Sequence, residues 1–168
     1  PTSPNAFDST KNGGTDAFVA RLDDQLTDVL AATYIGGSGD EAPSGVAIDV
    51  AGRIAIAGLT DSANYPTTPG AFDTMYEGPL ATSMVSYLTG DLSTLLYSSY
   101  LGPASQSSSQ ANDVAALGEA DVVIVGQGAK TGFPVTPGAF DETFNGGALG
   151  GGGGYGARML LGPSPWGY

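Results

Sequence analysis

The phrase PTTPGAFD, residues 66–73, returns as PVTPGAFD at 134–141 and opens the chain as PTSPNAFD at 1–8, at intervals of 65 and 68 residues. A phrase repeated at near-constant spacing marks a tandem array, and an array is read before any strand or helix is assigned. The match spreads well beyond the phrase. LAATYIGG (30–37) lies 66 residues before LYSSYLGP (96–103), which sets Tyr34 over Tyr100. DAFVARL (16–22) lies over TSMVSYL (82–88). GVAID (45–49) over DVAAL (113–117) and RIAIAG (53–58) over DVVIVG (121–126) are both offset by 68. The two extra residues fall within GPASQSSSQAN (102–112), where a surface loop can absorb an insertion.

Each repeat reads as four short strands, here lettered a (GVAID), b (RIAIAG), c (DAFVARL) and d (LAATYIGG). Strands a and b are separated by VAGR in one copy and GEA in the other, connections suited to a hairpin. Strand c alternates, with Phe18, Ala20 and Leu22 on one face and Ala17, Val19 and Arg21 on the other. VVIV in the second strand b is apolar on both faces, as in a strand covered on both sides. Strand d, rich in Thr, Ser and Tyr, suits an outer position. The repeated phrase falls in the long connection from b to c, where its prolines stiffen the chain and hold the preceding residues extended. It reads as a packing device, with the Phe of GAF expected to pin the loop to the sheet.

Composition agrees. Glycine supplies 27 of the 168 residues and proline 11, charged residues only 13%, and helix formers such as Lys, Glu and Gln are scarce. The length suits one domain with its own core. A net charge of −12 repels phosphate backbones and argues against nucleic acid as a partner. Without a single Cys or His, thiolate zinc sites, haem attachment, Ser-His-Asp triads and Cys-His dyads are excluded within the chain. No window approaches the run of about twenty apolar residues that a spanning helix needs, and no signal segment is evident. The start at Pro1, inside a repeated phrase, is what a processed or partial product would show.

A lone four-stranded antiparallel unit cannot bury both faces, and units stacked radially become the blades of a β-propeller. DAFVARLD, TYIGGSGDEAPSGVAIDVAGRIAIAGLTDSANYPTTPGAF and LLYSSYLG resemble the bacterial SBBP family of β-propeller repeats over about residues 1–145. The resemblance implies propeller architecture, usually in large extracellular, cell-surface or periplasmic proteins of bacteria, and it carries no catalytic residues to transfer. The copies also diverge. The acidic GGSGDEA is replaced by GPASQSSSQAN, and the third copy breaks down into ALGGGGGYGARMLLGPSPWGY. There YGARMLL is expected as a strand c, and GPSPWGY as a cap anchored by Trp166 and Tyr168.

The expected fold is therefore all-β, a partial or open β-propeller of tandem four-stranded antiparallel units. Strands c and d of a first, incomplete blade occupy 1–37, a complete blade 38–103, and a degenerate third blade with a Gly-rich insertion and tail 104–168. That makes nine strands, little more than two blades, whereas closure takes about four to eight. A chain of this length cannot complete a ring alone, so its partners are expected to be other protein subunits or the remainder of a longer propeller. Its expected role is a non-catalytic scaffold or interaction module with no cofactor. The alternative is a carbohydrate- or Ca²⁺-binding propeller module.

Three features invite chemistry. VVIVGQGAKTG (122–132) looks like a nucleotide loop, but Gly126, Gly128 and Gly132 miss the dinucleotide spacing, Ala129 stands before Lys130 where a phosphate loop needs glycine, and FPVTPGAF cannot be the required helix. Asp40, Glu41 and Asp61 are the acids from which a Ca²⁺ site could be drawn, since that ion takes about six to eight hard oxygens. Against it, no D-x-D-x-D-G loop is present, and turn Asp residues bond their own backbone. Tyr34, Tyr87 and Tyr100 are expected in packing between units. Tyr76, Trp166 and Tyr168, placed in loops or the tail, are the interaction candidates.

Overall fold

The computed structural model describes residues 2–78, 80–103, 108–128, 132–143 and 152–161. Among them are nine strands and no helix: β1 (Ala17–Leu22), β2 (Val29–Ile35), β3 (Glu41–Ile48), β4 (Ile54–Thr60), β5 (Thr82–Leu88), β6 (Leu95–Leu101), β7 (Ser109–Gly118), β8 (Asp121–Gly128) and β9 (Gly153–Leu160). They form three antiparallel sheets of two, four and three strands, ordered β1-β2, β3-β4-β5-β6 and β7-β8-β9. Every neighbour in a sheet is also a neighbour in sequence, and no sheet closes on itself.

Two cores stack the sheets. The middle sheet is apolar on both faces because β4 and β5 alternate between two destinations. Ile54, Ile56, Met84, Leu88 and Tyr100 turn toward the two-stranded sheet and meet Ala17, Val19, Ala31 and Ile35. Ala55, Ala57, Val85, Tyr87 and Leu101 turn the other way and meet Ala111, Val114, Val122, Ile124 and Leu161. Strand β7 packs across β3, β4 and β5. Among the described residues, no helix is long and apolar enough to cross a membrane.

Strand β9 lies two residues earlier in register than YGARMLL suggested. Leu88 pairs with Ile54 and Met159 with Val122, the next copy's counterpart of Ile54. GGYGARM (153–159) therefore stands where DAFVARL and TSMVSYL stand, with Tyr155 in the place of Phe18 and Met84 and Arg158 in that of Arg21.

The repeated phrase turns out to be an edge cover. Ser3 donates its N–H to Ala32 O (2.9 Å) and its hydroxyl accepts the Ala32 N–H (2.5 Å), while Tyr34 N–H reaches Asp8 O (3.0 Å) and Asp8 N–H the Thr33 hydroxyl (2.9 Å). The second copy repeats all four bonds on β6. Thr68 N–H reaches Ser98 O (3.0 Å) and Ser98 N–H the Thr68 hydroxyl (3.0 Å); Tyr100 N–H reaches Asp73 O (3.0 Å) and Asp73 N–H the Ser99 hydroxyl (2.9 Å). The outer backbone groups of Ala32 and Tyr34 on β2 and of Ser98 and Tyr100 on β6 are thus engaged without another strand, which blunts the pairing hazard of a bare edge. A β-turn shapes the phrase, closed by Ala71 N–H to Thr68 O (3.1 Å) with Pro69 and Gly70 at its centre. Gly70 adopts φ +78°, the left-handed value that a Pro-Gly type II turn requires.

The expected Phe pin is corrected. Phe72 and Phe140 are exposed, and only Phe7 packs, next to Leu92 whose carbonyl accepts its N–H (2.9 Å). The residue that holds the loop is the aromatic just before the phrase. Tyr65 is buried over β5 with its hydroxyl 2.8 Å from that of Ser86, and its counterpart Phe133 stacks on Tyr155 at 4.1 Å between ring centroids. An aromatic ring in front of a proline is both large enough to bury and held extended.

Candidate functional site

The two junctions between sheets are built on one plan with different chemistry. At the first, Glu41 is buried and its N–H reaches Thr15 O (2.6 Å). Its carboxylate accepts the Gly37 N–H (3.0 Å) and the Thr60 hydroxyl (2.6 Å). Asp16 lies beside it and accepts the N–H groups of Asn12 (2.8 Å) and Gly13 (3.2 Å). Both carboxylates crowd Gly36 so closely that a methyl there would collide with each, and this is why the position is glycine. At the second junction the counterparts are Ser109, Thr82 and Gly102. The Ser109 N–H reaches Ala81 O (3.3 Å), its hydroxyl accepts the Ser83 N–H (2.9 Å) and donates to Leu101 O (3.1 Å).

This geometry locates the residues singled out for Ca²⁺. Asp40 and Asp61 are exposed neighbours, linked by the Asp40 N–H to Asp61 Oδ1 at 2.5 Å, whereas Glu41 points inward to its own donors. Among the described residues, no group of three or more Asp or Glu side chains is arranged to share an ion. Tyr76 is not a free surface ring: it is half-buried against Tyr100, 5.8 Å between centroids, with its hydroxyl donating to Leu80 O (3.0 Å). Trp166 and Tyr168 lie outside the described residues. Tyr87 and Tyr100 are buried between sheets as expected; Tyr34 is half-buried on the end face with Phe18, 5.4 Å between centroids.

Sequence reasoning missed the strongest polar constellation. Asp49, in the β3–β4 turn, is buried and accepts the Tyr87 hydroxyl, Arg53 Nε (3.0 Å) and the Ala120 N–H (3.2 Å). Arg53 also pairs with Asp49 (2.9 Å) and with Glu119 (2.8 Å), and its guanidinium lies 5.3 Å from the centre of the Tyr87 ring. Burial alone would raise the Asp49 carboxyl pKa, but the donors from Tyr87, Arg53 and Ala120 outweigh it and hold the group well below its ordinary range. Tyr87 is pushed up to about 12, first by burial and then by the carboxylate it donates to. These residues join turns of the second and third sheets, and neither Asp49 nor Arg53 is repeated: the equivalent positions are Leu117 and Asp121. The constellation is a clamp between sheets, with each carboxylate oxygen engaged.

The surface left uncovered is the larger feature. Phe18 is 47% exposed where its counterpart Met84 is 0%, Leu22 is 43% where Leu88 is 0%, and Leu26 is 74% where Leu92 is 0%. Val46 and Ile48 on β3 are also exposed, because the first sheet has no strands a and b to cover them. Among the described residues, strand β1 pairs only with β2, and β9 only with β8. Between the second and third sheets a recess of about 190 Å³ is lined by Leu59, Ser109, Gln110, Gln127 and Gly128, and no acid or base lines it among the described residues.

No protein-family model matches this chain, and no curated protein matches it at a significant level. The likeness to SBBP repeats therefore rests on the motifs quoted above.

Proposed function

We propose that this chain is a non-catalytic scaffold or interaction module of an exported or cell-surface assembly, working as part of a larger propeller-type array. The observation that carries this reading is the contrast between equivalent residues. Phe18, Leu22 and Leu26 occupy positions whose counterparts are wholly enclosed one repeat later, so the repeat is written for a face that is covered. Apolar side chains gathered on an outer sheet face are a mark of contact with other protein. Sheet edges without a cover, those of β1 and β9 among them, support the same reading, since unpaired edges recruit strands. The SBBP-like motifs support placement in a bacterial surface or periplasmic protein.

The test is site-specific photo-crosslinking in the native host. A photoreactive residue in place of Phe18 is expected to give discrete protein adducts, and one in place of the exposed Lys11 none. A folded chain that yields no adduct from Phe18 would sink the proposal.

A further inference from the structure

Strand β1 is the strand c of the first sheet, and in the other two sheets strand c lies against a strand b. The segments on either side of β1, residues 2–16 and 23–40, belong to the described residues, among which β1 pairs with β2 alone. Which of its groups face outward follows from β2. Ala32 and Tyr34 turn their N–H groups to the phrase, so Ala31, Thr33 and Ile35 face Arg21, Val19 and Ala17. Phe18 and Ala20 therefore direct their backbone groups away from β2. Their counterparts Met84 and Ser86 stand opposite Gly58 and Ile56 of β4.

A second surface opens beside this edge. Val46 of β3 is 62% exposed, whereas its counterpart Val114 is 5% exposed beneath β3 and β4. Val46 and the equally open Ile48 pair with Ile56 and Ile54, which belong to the core between the first two sheets. The exposed pair thus carries that core past its present rim. Arg21, exposed at the end of β1, stands in the place of Tyr87 and Arg158. Each of those bonds an aspartate at the a–b turn of its own sheet: Tyr87 donates to Asp49, and Arg158 to Asp121 at 2.6 and 3.0 Å. Among the described residues Arg21 donates to Gly90 O (3.2 Å) and meets no carboxylate.

We propose that the slot between the β1 edge and β3 receives a β-hairpin of the β3–β4 type from another polypeptide. Its second strand pairs antiparallel with β1 and carries Gly opposite Phe18, as Gly58 lies opposite Met84 and Gly126 opposite Tyr155. Glycine is needed there because the hairpin's first strand bulges at that level: a methyl on Gly58 would collide with Ala42 O, and one on Gly126 with Gln110 O. Small apolar side chains of the hairpin cover Val46, as Ala55 and Ala57 cover Val114. A carboxylate in its turn meets Arg21. One free strand edge, an apolar contact continuous with an existing core and one complementary charge select the same segment. This inference rests on the scaffold reading above and names the kind of segment that docks.

The experiment adds a synthetic hairpin of residues 41–61, EAPSGVAIDVAGRIAIAGLTD, to the full chain. A disulfide between cysteines added at the peptide's ends preforms the hairpin and cuts the ordering cost of binding. Amide exchange read by NMR should slow at Phe18 and Ala20, and the signals of Val46 and Ile48 should shift over the same peptide concentrations. N-methylation of the peptide at Ile56, whose N–H faces away from its own first strand, should abolish both effects. Val46→Asp in the chain, at an exposed position, should weaken binding at least about tenfold. Arg21→Gln should weaken it about threefold and remove most of its salt dependence. The inference is overturned if neither amide slows, if the N-methylated peptide binds equally well, or if Val46→Asp leaves the affinity unchanged. Such a failure with Phe18 adducts still forming would leave the scaffold reading intact; loss of both would remove it.

Discussion

The first sheet and the middle sheet are written in nearly the same words and live in different surroundings. Leu26 and Leu92 show this most sharply: both sit at the turn between strands c and d with φ near +59°, and both accept the strain of a left-handed backbone on a branched side chain. Leu92 recovers that strain by full burial against Phe7 and the first core, whereas Leu26 faces solvent. Sequence similarity between copies thus records the position a residue was shaped for. Burial records whether the neighbour that completes the position is present.

Substitutions at equivalent positions would break or sharpen this comparison. Leu88→Ala should lower stability by about 3 kcal/mol in urea unfolding followed by circular dichroism, while Leu22→Ala at the equivalent position should lower it by less than about 1 kcal/mol. Equal losses would mean that the first sheet's outer face is covered in solution. Next comes the clamp at the second junction. Asp49→Ala removes the acceptor shared by the Tyr87 hydroxyl, Arg53 Nε and the N–H groups of Ala51, Arg53 and Ala120, and a loss of about 2 kcal/mol is expected.

The clamp also has a pH signature. Because its folded-state pKa is depressed, the stabilisation from Asp49 is complete above its ordinary value of 3.8 and is lost as pH falls below that point. Tyr87 behaves in the opposite sense. Its folded-state pKa is raised from 10.0 to about 12, so its contribution is present below pH 10 and is lost as pH climbs to 12. Tyr87→Phe should reduce that alkaline loss in a thermal-melt series, leaving the part due to Tyr65 and Tyr100, whose hydroxyls burial also raises.

Smaller effects separate the two junctions. Glu41→Gln replaces one acceptor oxygen by a donor facing the Gly37 N–H or the Thr60 hydroxyl, and about 1 kcal/mol should be lost in chemical unfolding. Ser109→Ala at the second junction should cost a similar or smaller amount, since its hydroxyl serves single neutral bonds. Smallest is Thr68→Val, worth about 0.5–1 kcal/mol, with faster exchange of the Ser98 amide as the sensitive readout.

Much of the architecture was legible because two signals coincide. The repeat fixed which segments are equivalent, and the alternation in DAFVARL and RIAIAG fixed which are strands, so the succession c-d, a-b-c-d, a-b-c emerged with its connections. What escaped depends on distances between segments remote in sequence. Nothing in PTTPGAFD says that Thr68 will bond to a strand thirty residues on. Phe in GAF looked like the pin because apolar residues in loops usually bury; the ring that does so, Tyr65, stood one place outside the repeated words. The Asp49 clamp was invisible for the opposite reason: it joins positions that the copies do not share. The acids Asp40, Glu41 and Asp61 drew attention as a cluster, yet strand alternation sends Glu41 inward and leaves the other two outside.

The edge cover has a consequence for how the protein is made. Residues 66–73 leave the ribosome before the strand they embrace, and so does β5, its other flank. When β6 emerges, both of its hydrogen-bonding sides are already waiting. The segment threads into place instead of being added to a growing rim, and at no stage of vectorial synthesis does the nascent chain present β6 as a naked border to its neighbours.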